Sequence, residues 1–210
     1  EDRFNDPGSG SGSGSISMPH EEVRDYFYER QNYLHDLDTA AEELTTGMRI
    51  NRGDLVSDLA DRLRIVHGGT IIRRIDLGEG VLHRYDPMSK RLQVSAHLSA
   101  GQTVTRLAAE LAYLEYGDLI DRLVEEGKFT GEEARKLARK GLANYFAAAT
   151  VLMLQLLSGV GLSFHYVPPT DLAYDSIRAM EQDVPWGRFV RALHHFGASA
   201  LVILLALHLC

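Results

Sequence analysis

The alternation of apolar and polar positions divides the chain into a helical stretch, a short β segment, a second helical stretch and a charge-free end. A helix is predicted from Pro19, a residue favoured in a first turn, with Glu21 and Glu22 at the positive end of the helix dipole. It runs, with room for a break, to Gly47. A second helix opens at Asp54 and ends at Gly68-Gly69. Residues 70–75, 81–86 and 91–95 read as short strands, and the turn from Asp86 to Lys90 makes the last two a hairpin. Helix returns from about residue 102 to 126, and Thr130-Gly-Glu-Glu133 has the form of a capping box that opens another. The expected fold class is α+β, mainly helical, with a small three-stranded sheet followed by two apolar helices.

From Ala143 through Val167 there are 25 residues without a formal charge, enough to span a hydrocarbon core of about 30 Å. Ala147-Ala148-Ala149 suits close helix packing, so 143–152 is expected in a protein core and 154–167 in a membrane. Between this run and the second one, 168–188 holds Pro168, Pro169, Tyr174, Pro185 and Trp186, and reads as a water-facing loop with interfacial aromatics. The last stretch, 192–210, carries His194 and His208. At about 100° and about 1.5 Å per residue, their spacing puts both imidazoles within about 40° of one helix face, about 21 Å apart. Two satisfied histidines on an apolar helix explain the pair, and so do two stacked metal centres.

Charge separates the same two parts. Of the net −7, residues 143–210 contribute −1, from four acidic residues against three arginines, which leaves −6 in an acidic first part. Nothing is basic enough to track a phosphate backbone, so no direct nucleic-acid binding is expected. The lone cysteine, Cys210, excludes an internal disulfide and a cysteine-built metal site. Residues 7–17 form a flexible Gly/Ser linker, no signal peptide opens the sequence, and the apolar run reaches the last residue, so the chain reads as cut at both ends.

The stretches Met18-Pro-His-Glu-Glu-Val-Arg-Asp-Tyr-Phe-Tyr28, Arg30-Gln-Asn-Tyr-Leu34, Arg74-Ile-Asp-Leu77, Leu82-His-Arg-Tyr-Asp-Pro87, Ala109-Glu-Leu-Ala-Tyr-Leu114 and Gly141-Leu-Ala-Asn-Tyr-Phe-Ala147 resemble the central domain of short-chain fatty-acyl (propionate or glyoxylate-cycle) transcriptional regulators. The resemblance implies a relative of the ImmA/IrrE zinc peptidases over 18–152, sensing acyl-CoA in the cytoplasm. A peptidase of that kind needs His-Glu-x-x-His, two imidazoles on one helix face beside a general base. Here the run is Ala109-Glu110-Leu111-Ala112-Tyr113, and Leu142 stands where an acidic third ligand is expected. No zinc and no catalytic residue is therefore expected, and Glu110 reads as a hydrogen-bonded core carboxylate. Tyr28, Arg30 and Tyr33 on the first helix are the candidate acyl-CoA residues, since Arg can fork onto phosphate and Tyr can stack or donate. Arg73, Arg74 and Arg84 add positive charge near the sheet. A solvated helix face explains the first three equally, and the resemblance tips the reading to acyl-CoA.

From Leu154 the motifs Leu154-Gln-Leu-Leu-Ser-Gly-Val-Gly161, His165-Tyr-Val-Pro168, Ala173-Tyr-Asp-Ser-Ile177, Val184-Pro-Trp-Gly187 and Arg191-Ala-Leu-His-His-Phe-Gly-Ala-Ser199 resemble the N-terminal end of cytochrome b, the haem subunit of quinol-oxidising complexes. The resemblance implies His194 and His208 as axial ligands of haem b, Arg191 beside a propionate, and Gly159 as a helix glycine against which a porphyrin lies. It implies membrane lipid and respiratory-complex subunits as partners of 153–210. His195 and His165 match no ligand position. The family's second pair of histidines, on a later helix, is absent, and Tyr145 stands where its other packing glycine belongs.

Three functions compete: a non-enzymatic sensing module, a haem-binding membrane electron carrier, and a spliced chain with neither activity. The two patterns meet near 153 without a linker, where one continuous helix could bridge them. Natural fusions usually keep whole domains and a connector, which favours the spliced reading of the join. The larger piece is expected to be a catalytically dead acyl-CoA-sensing domain.

Overall fold

In the computed structural model the described residues are 18–48, 55–78, 80–192, 194, 195, 197 and 198. The Gly/Ser linker, the start of the predicted helix at Asp54, His208 and Cys210 lie outside them. Helix α1 (Pro19–Glu29) and α2 (His35–Gly47) are separated at Gln31 and Asn32, whose φ values of 53° and 55° are left-handed. Asn32 N–H donates back to Phe27 O at 2.8 Å, so the helix closes and the chain reverses. Helix α3 (Leu55–His67) ends at Gly68, with φ +67°. Gly69 lies so close to α3 that a Cβ there would come 2.8 Å from Leu63 Cγ.

Strands β1 (Thr70–Arg74), β2 (His83–Asp86) and β3 (Arg91–Ser95) form one sheet in the order β1-β3-β2. The hairpin between β2 and β3 is antiparallel as expected, while β1 runs parallel to β3. The helix predicted over 102–126 is two helices, α4 (Ala100–Glu115) and α5 (Gly117–Glu126), broken at Tyr116. Its start is earlier because Ser99 and Gln102 form a capping box.

The capping box predicted at Thr130 does not form. Thr130 N–H and Oγ donate to the Glu22 carboxylate at 2.9 and 2.5 Å, which fastens the loop to α1. Gly131 is the N-cap of α6 (Glu132–Ser163), and that 32-residue helix runs without interruption through the region where the two sequence patterns meet. The segment 168–188, read as a loop, contains α7 (Ala173–Gln182). A further helical run begins at 187.

The core lies between α2, α3, α4, α6 and one sheet face. Leu37, Leu44, Leu59, Leu63, Leu92, Leu107, Leu111, Leu142 and Phe146 are fully buried in it. Residues 143–152 supply Ala143, Phe146, Ala147, Ala149 and Thr150 to the interior, as the small-residue pattern predicts. Beyond Gln155 the helix leaves the core, and Leu156, Leu157, Val160 and Phe164 are exposed. One bidentate pair locks α3 to α4. Arg62 Nε and Nη2 donate to the two Glu115 oxygens at 2.8 and 2.6 Å, and His67 Nε2 lies 3.2 Å from Oε1.

Candidate functional site

The peptidase-like run lies on α4, whose positions 106, 110 and 113 fall within about 60° of one face. Glu110 is only 8 % exposed, and among the described residues its carboxyl receives no hydrogen bond and no ion pair. The expectation of a hydrogen-bonded core carboxylate is therefore corrected: the residue is buried, but no protein group among the described residues bonds to its carboxyl. Burial alone pushes it up to about 7.

Two tyrosines sense that carboxylate. Tyr85 and Tyr113 are raised first by burial, and the charge of Glu110 adds to each. Tyr85 belongs to β2, where it pairs with Leu92, and His83 pairs with Val94. Leu92 and Val94 are fully buried, so His83 and Tyr85 share the core-facing side of the sheet, while Arg84 points to solvent. His83 is lowered by burial first, then by the positive charges of Arg106 on α4 and Lys140 on α6. Arg139, next to Lys140, stands 5.7 Å from the Tyr113 ring centroid and pairs with Asp121. Sequence reasoning missed His83, Arg106 and Lys140. Only the i, i+4, i+7 spacing of Arg106, Glu110 and Tyr113 announced a shared face.

Ala109 and Tyr113 occupy the positions where two imidazoles are needed, and among the described residues no three His, Cys, Asp or Glu side chains cluster as a metal ion requires. The groups of this junction offer binding: a buried carboxyl poised to be neutral, phenolic hydroxyls, and cations on two helices.

The three candidates expected on the first helix sit elsewhere, and only Tyr28 lies on α1: Arg30 is its C-cap, and Tyr33 is in the connection to α2. Tyr28 is 78 % exposed and Tyr33 58 %, with the Tyr33 hydroxyl 3.0 Å from His35 Nδ1. The Arg30 guanidinium lies 3.8 Å from the Tyr26 ring centroid and donates to Tyr26 O at 3.2 Å, so it is engaged within its own helix. They are not gathered in one cleft. Arg73, Arg74 and Arg84 are exposed on the sheet.

In the tail, His194 sits against α6. Its Nδ1 is 3.3 Å from Gln155 Nε2, Gln155 O and Ser158 Oγ, and Gln155 Nε2 donates to His194 O at 2.5 Å. A Cβ on Gly159 would stand 2.7 Å from His194 Cε1, so the imidazole itself fills the notch that glycine leaves. A porphyrin lying on the Gly159 backbone needs that same space. The residues present therefore do not fit a haem in this arrangement. Arg191 Nη1 donates to Glu181 at 2.6 Å, and His208 lies outside the described residues.

Comparison with known proteins divides the chain in the same way. Residues 66–159 match the IrrE N-terminal-like domain, and residues 141–210 match cytochrome b/b6/petB. The HTH-type transcriptional regulator RamB of Mycobacterium tuberculosis is 63 % identical over 166 residues, covering 79 % of this chain and 34 % of that protein. The propionyl-CoA carboxylase regulator of Cereibacter sphaeroides is 33 % identical, covering 64 % of this chain and 28 % of that protein. A solved structure of a Mycobacterium tuberculosis transcriptional regulator superposes with a TM-score of 0.62 at 37 % identity, over 83 % of this chain and 50 % of that one. The chain spans about a third of the length of the curated regulators it matches. It is a composite, similar to transcriptional regulators over its larger part and to cytochrome b at its end, and the two family matches overlap within α6.

Proposed function

We propose that residues 18–152 form a non-catalytic domain that senses a short-chain acyl-CoA, as part of a cytoplasmic transcription regulator, and that the cytochrome b-like tail carries no haem. The observation that supports this best is the remodelled peptidase face. Glu110 stays at the general-base position while Ala109 and Tyr113 stand where the metal ligands belong, so the face retains a carboxyl without the two imidazoles that would hold a metal beside it. The name of the Cereibacter relative, a regulator of propionyl-CoA carboxylase, points to the ligand class. Direct operator binding is no part of the proposal, because nothing in the described fold presents a basic helix to a groove.

Calorimetric titration of the full 210-residue chain with propionyl-CoA tests the reading. Saturable heat is expected; its absence up to millimolar ligand overturns it.

A second reading concerns the tail. Helix α6 is long and apolar enough to cross a membrane, yet its first half belongs to the protein core. The part beyond Thr150 is 13 residues, about 20 Å, short of a hydrocarbon core of about 30 Å. The exposed row Leu156, Leu157, Val160 and Phe164, with Tyr174 and Trp186 exposed nearby in sequence, suits contact with a lipid surface more than a full span by α6. Flotation with phospholipid vesicles is expected for the full chain and not after Leu156→Glu and Phe164→Glu. Flotation of that variant equal to the wild type removes this reading.

A further inference from the structure

Helices α2 and α5 border a cavity of about 340 Å³ that the sensing reading does not use. It is near the lower end of the range of small-molecule sites, about 300–1,000 Å³. Asp36, Thr39, Ala40 and Glu43 line one wall, at the three- and four-residue spacing that puts side chains on one helix face. Tyr116, Leu119 and Arg122 line the other. The two walls are tied together where Arg122 Nη2 donates to Asp36 Oδ2 at 2.7 Å. Tyr116 is held at the break between α4 and α5. Its N–H donates to Ala112 O at 3.0 Å, and its ring stands against the fully buried Phe146, with centroids 5.1 Å apart.

The groups left over accept more than they donate. Arg122 is committed to Asp36, whereas the Glu43 carboxylate, two turns along α2 from Asp36 and about 10 Å away, has no cation partner among the described residues. An exposed carboxylate on its own is solvated surface. This one shares a cavity with an aromatic ring, two hydroxyls and a strip formed by Ala40 and Leu119. We propose that the α2–α5 cavity binds a small organic cation, an ammonium or guanidinium group on a short alkyl chain. The charged head lies between the Glu43 carboxylate and the Tyr116 ring, whose face attracts cations, and the Thr39 hydroxyl accepts a further N–H. The alkyl chain covers Ala40 and Leu119. A net charge of −7 favours the approach of a cation over that of an anion. The cavity uses none of Glu110, Tyr113 and Tyr85, so its failure leaves the acyl-CoA reading intact.

The test follows backbone amide shifts of the full 210-residue chain by NMR, in amine-free buffer near neutral pH, with butylamine, butylguanidine and butyrate added separately. Saturable shifts in 39–43 and 116–122 are expected with the two cations and not with butyrate. Added salt is expected to weaken them. Glu43 is exposed, so Glu43→Gln keeps the fold while removing the charge, and a fall in cation affinity of about tenfold is expected. Glu42→Gln, on the neighbouring exposed residue outside the cavity, is expected to stay within about twofold of wild type. No saturable shift up to about 50 mM cation overturns the site. So does butyrate binding as tightly as butylamine, or an affinity for both cations that Glu43→Gln leaves unchanged.

Discussion

The Tyr145 hydroxyl accepts the Leu34 N–H at 3.1 Å and donates to Asp38 Oδ1 at 3.0 Å, joining the middle of α6 to the start of α2. The residue that stands in place of a cytochrome b packing glycine thus ties α6 to α2. Its ring also stacks on Phe27, with centroids 6.4 Å apart. Tyr145→Phe leaves a half-buried carboxylate and a backbone N–H without their partner. It is expected to cost about 1–3 kcal/mol in urea denaturation, and a loss below about 0.5 kcal/mol would show the bridge to be incidental.

The α3–α4 lock carries an acid dependence. Burial pushes the Glu115 carboxyl up, but hydrogen bonds from Arg62 and His67 more than offset this and hold it below its ordinary 4.5. A depressed carboxyl contributes stability above its unfolded value and loses it as pH falls through the folded one. Arg62→Met is expected to destabilise by about 2 kcal/mol at neutral pH, because it leaves Glu115 without its bidentate partner in a largely buried setting. Below about pH 4 the difference from wild type is expected to shrink. An equal difference at both pH values would contradict the assignment.

Glu110 has the opposite sign. Its folded value, about 7, lies above 4.5, so its contribution is fully present below 4.5 and is lost as pH rises through 7. Glu110→Gln removes the cost of a buried charge. The variant is expected to be more stable than wild type at about pH 8, on the order of 1–3 kcal/mol, and to lose that advantage by about pH 5. Guanidinium denaturation at the two pH values measures it, and equal stability of the two proteins at about pH 8 would contradict the burial argument.

His194 is held by Gln155 and Ser158 on α6, with its ring in the Gly159 notch. Expressed with haem supplied and reduced in detergent, the chain is expected to give no sharp six-coordinate b-type band. A band that vanishes in His194→Ala would mean that the imidazole leaves Gly159 for iron.

Local signals carried much of the fold. The Pro19 start, the Gly68-Gly69 stop, the hairpin at Asp86–Lys90 and the alanine-rich core segment each follow from residues close in sequence, and each stands where the pattern put it. Expectations failed where a distant partner intervened. Thr130 is taken by Glu22 from α1, so its capping box is lost. The segment 168–188 folded into α7 because Met180 found a buried place against the chain. The candidate site was half legible. Glu110 could be read from its motif, but His83, Arg106 and Lys140 come from three elements whose meeting depends on the β2–β3 register and on α4 packing against α6. Tyr28, Arg30 and Tyr33 drew attention because they fall within six residues, yet α1 ends at Glu29, which leaves Tyr28 and Tyr33 in solvent and Arg30 on the Tyr26 ring.

Hydrogen–deuterium exchange of the full chain with and without propionyl-CoA tests the central claim most directly. Binding at the remodelled peptidase face predicts slower exchange in 83–86, in the stretch from Arg106 to Tyr113 and around Lys140, with 153–198 unchanged. Protection confined to the tail, or none anywhere at saturating ligand, would contradict it.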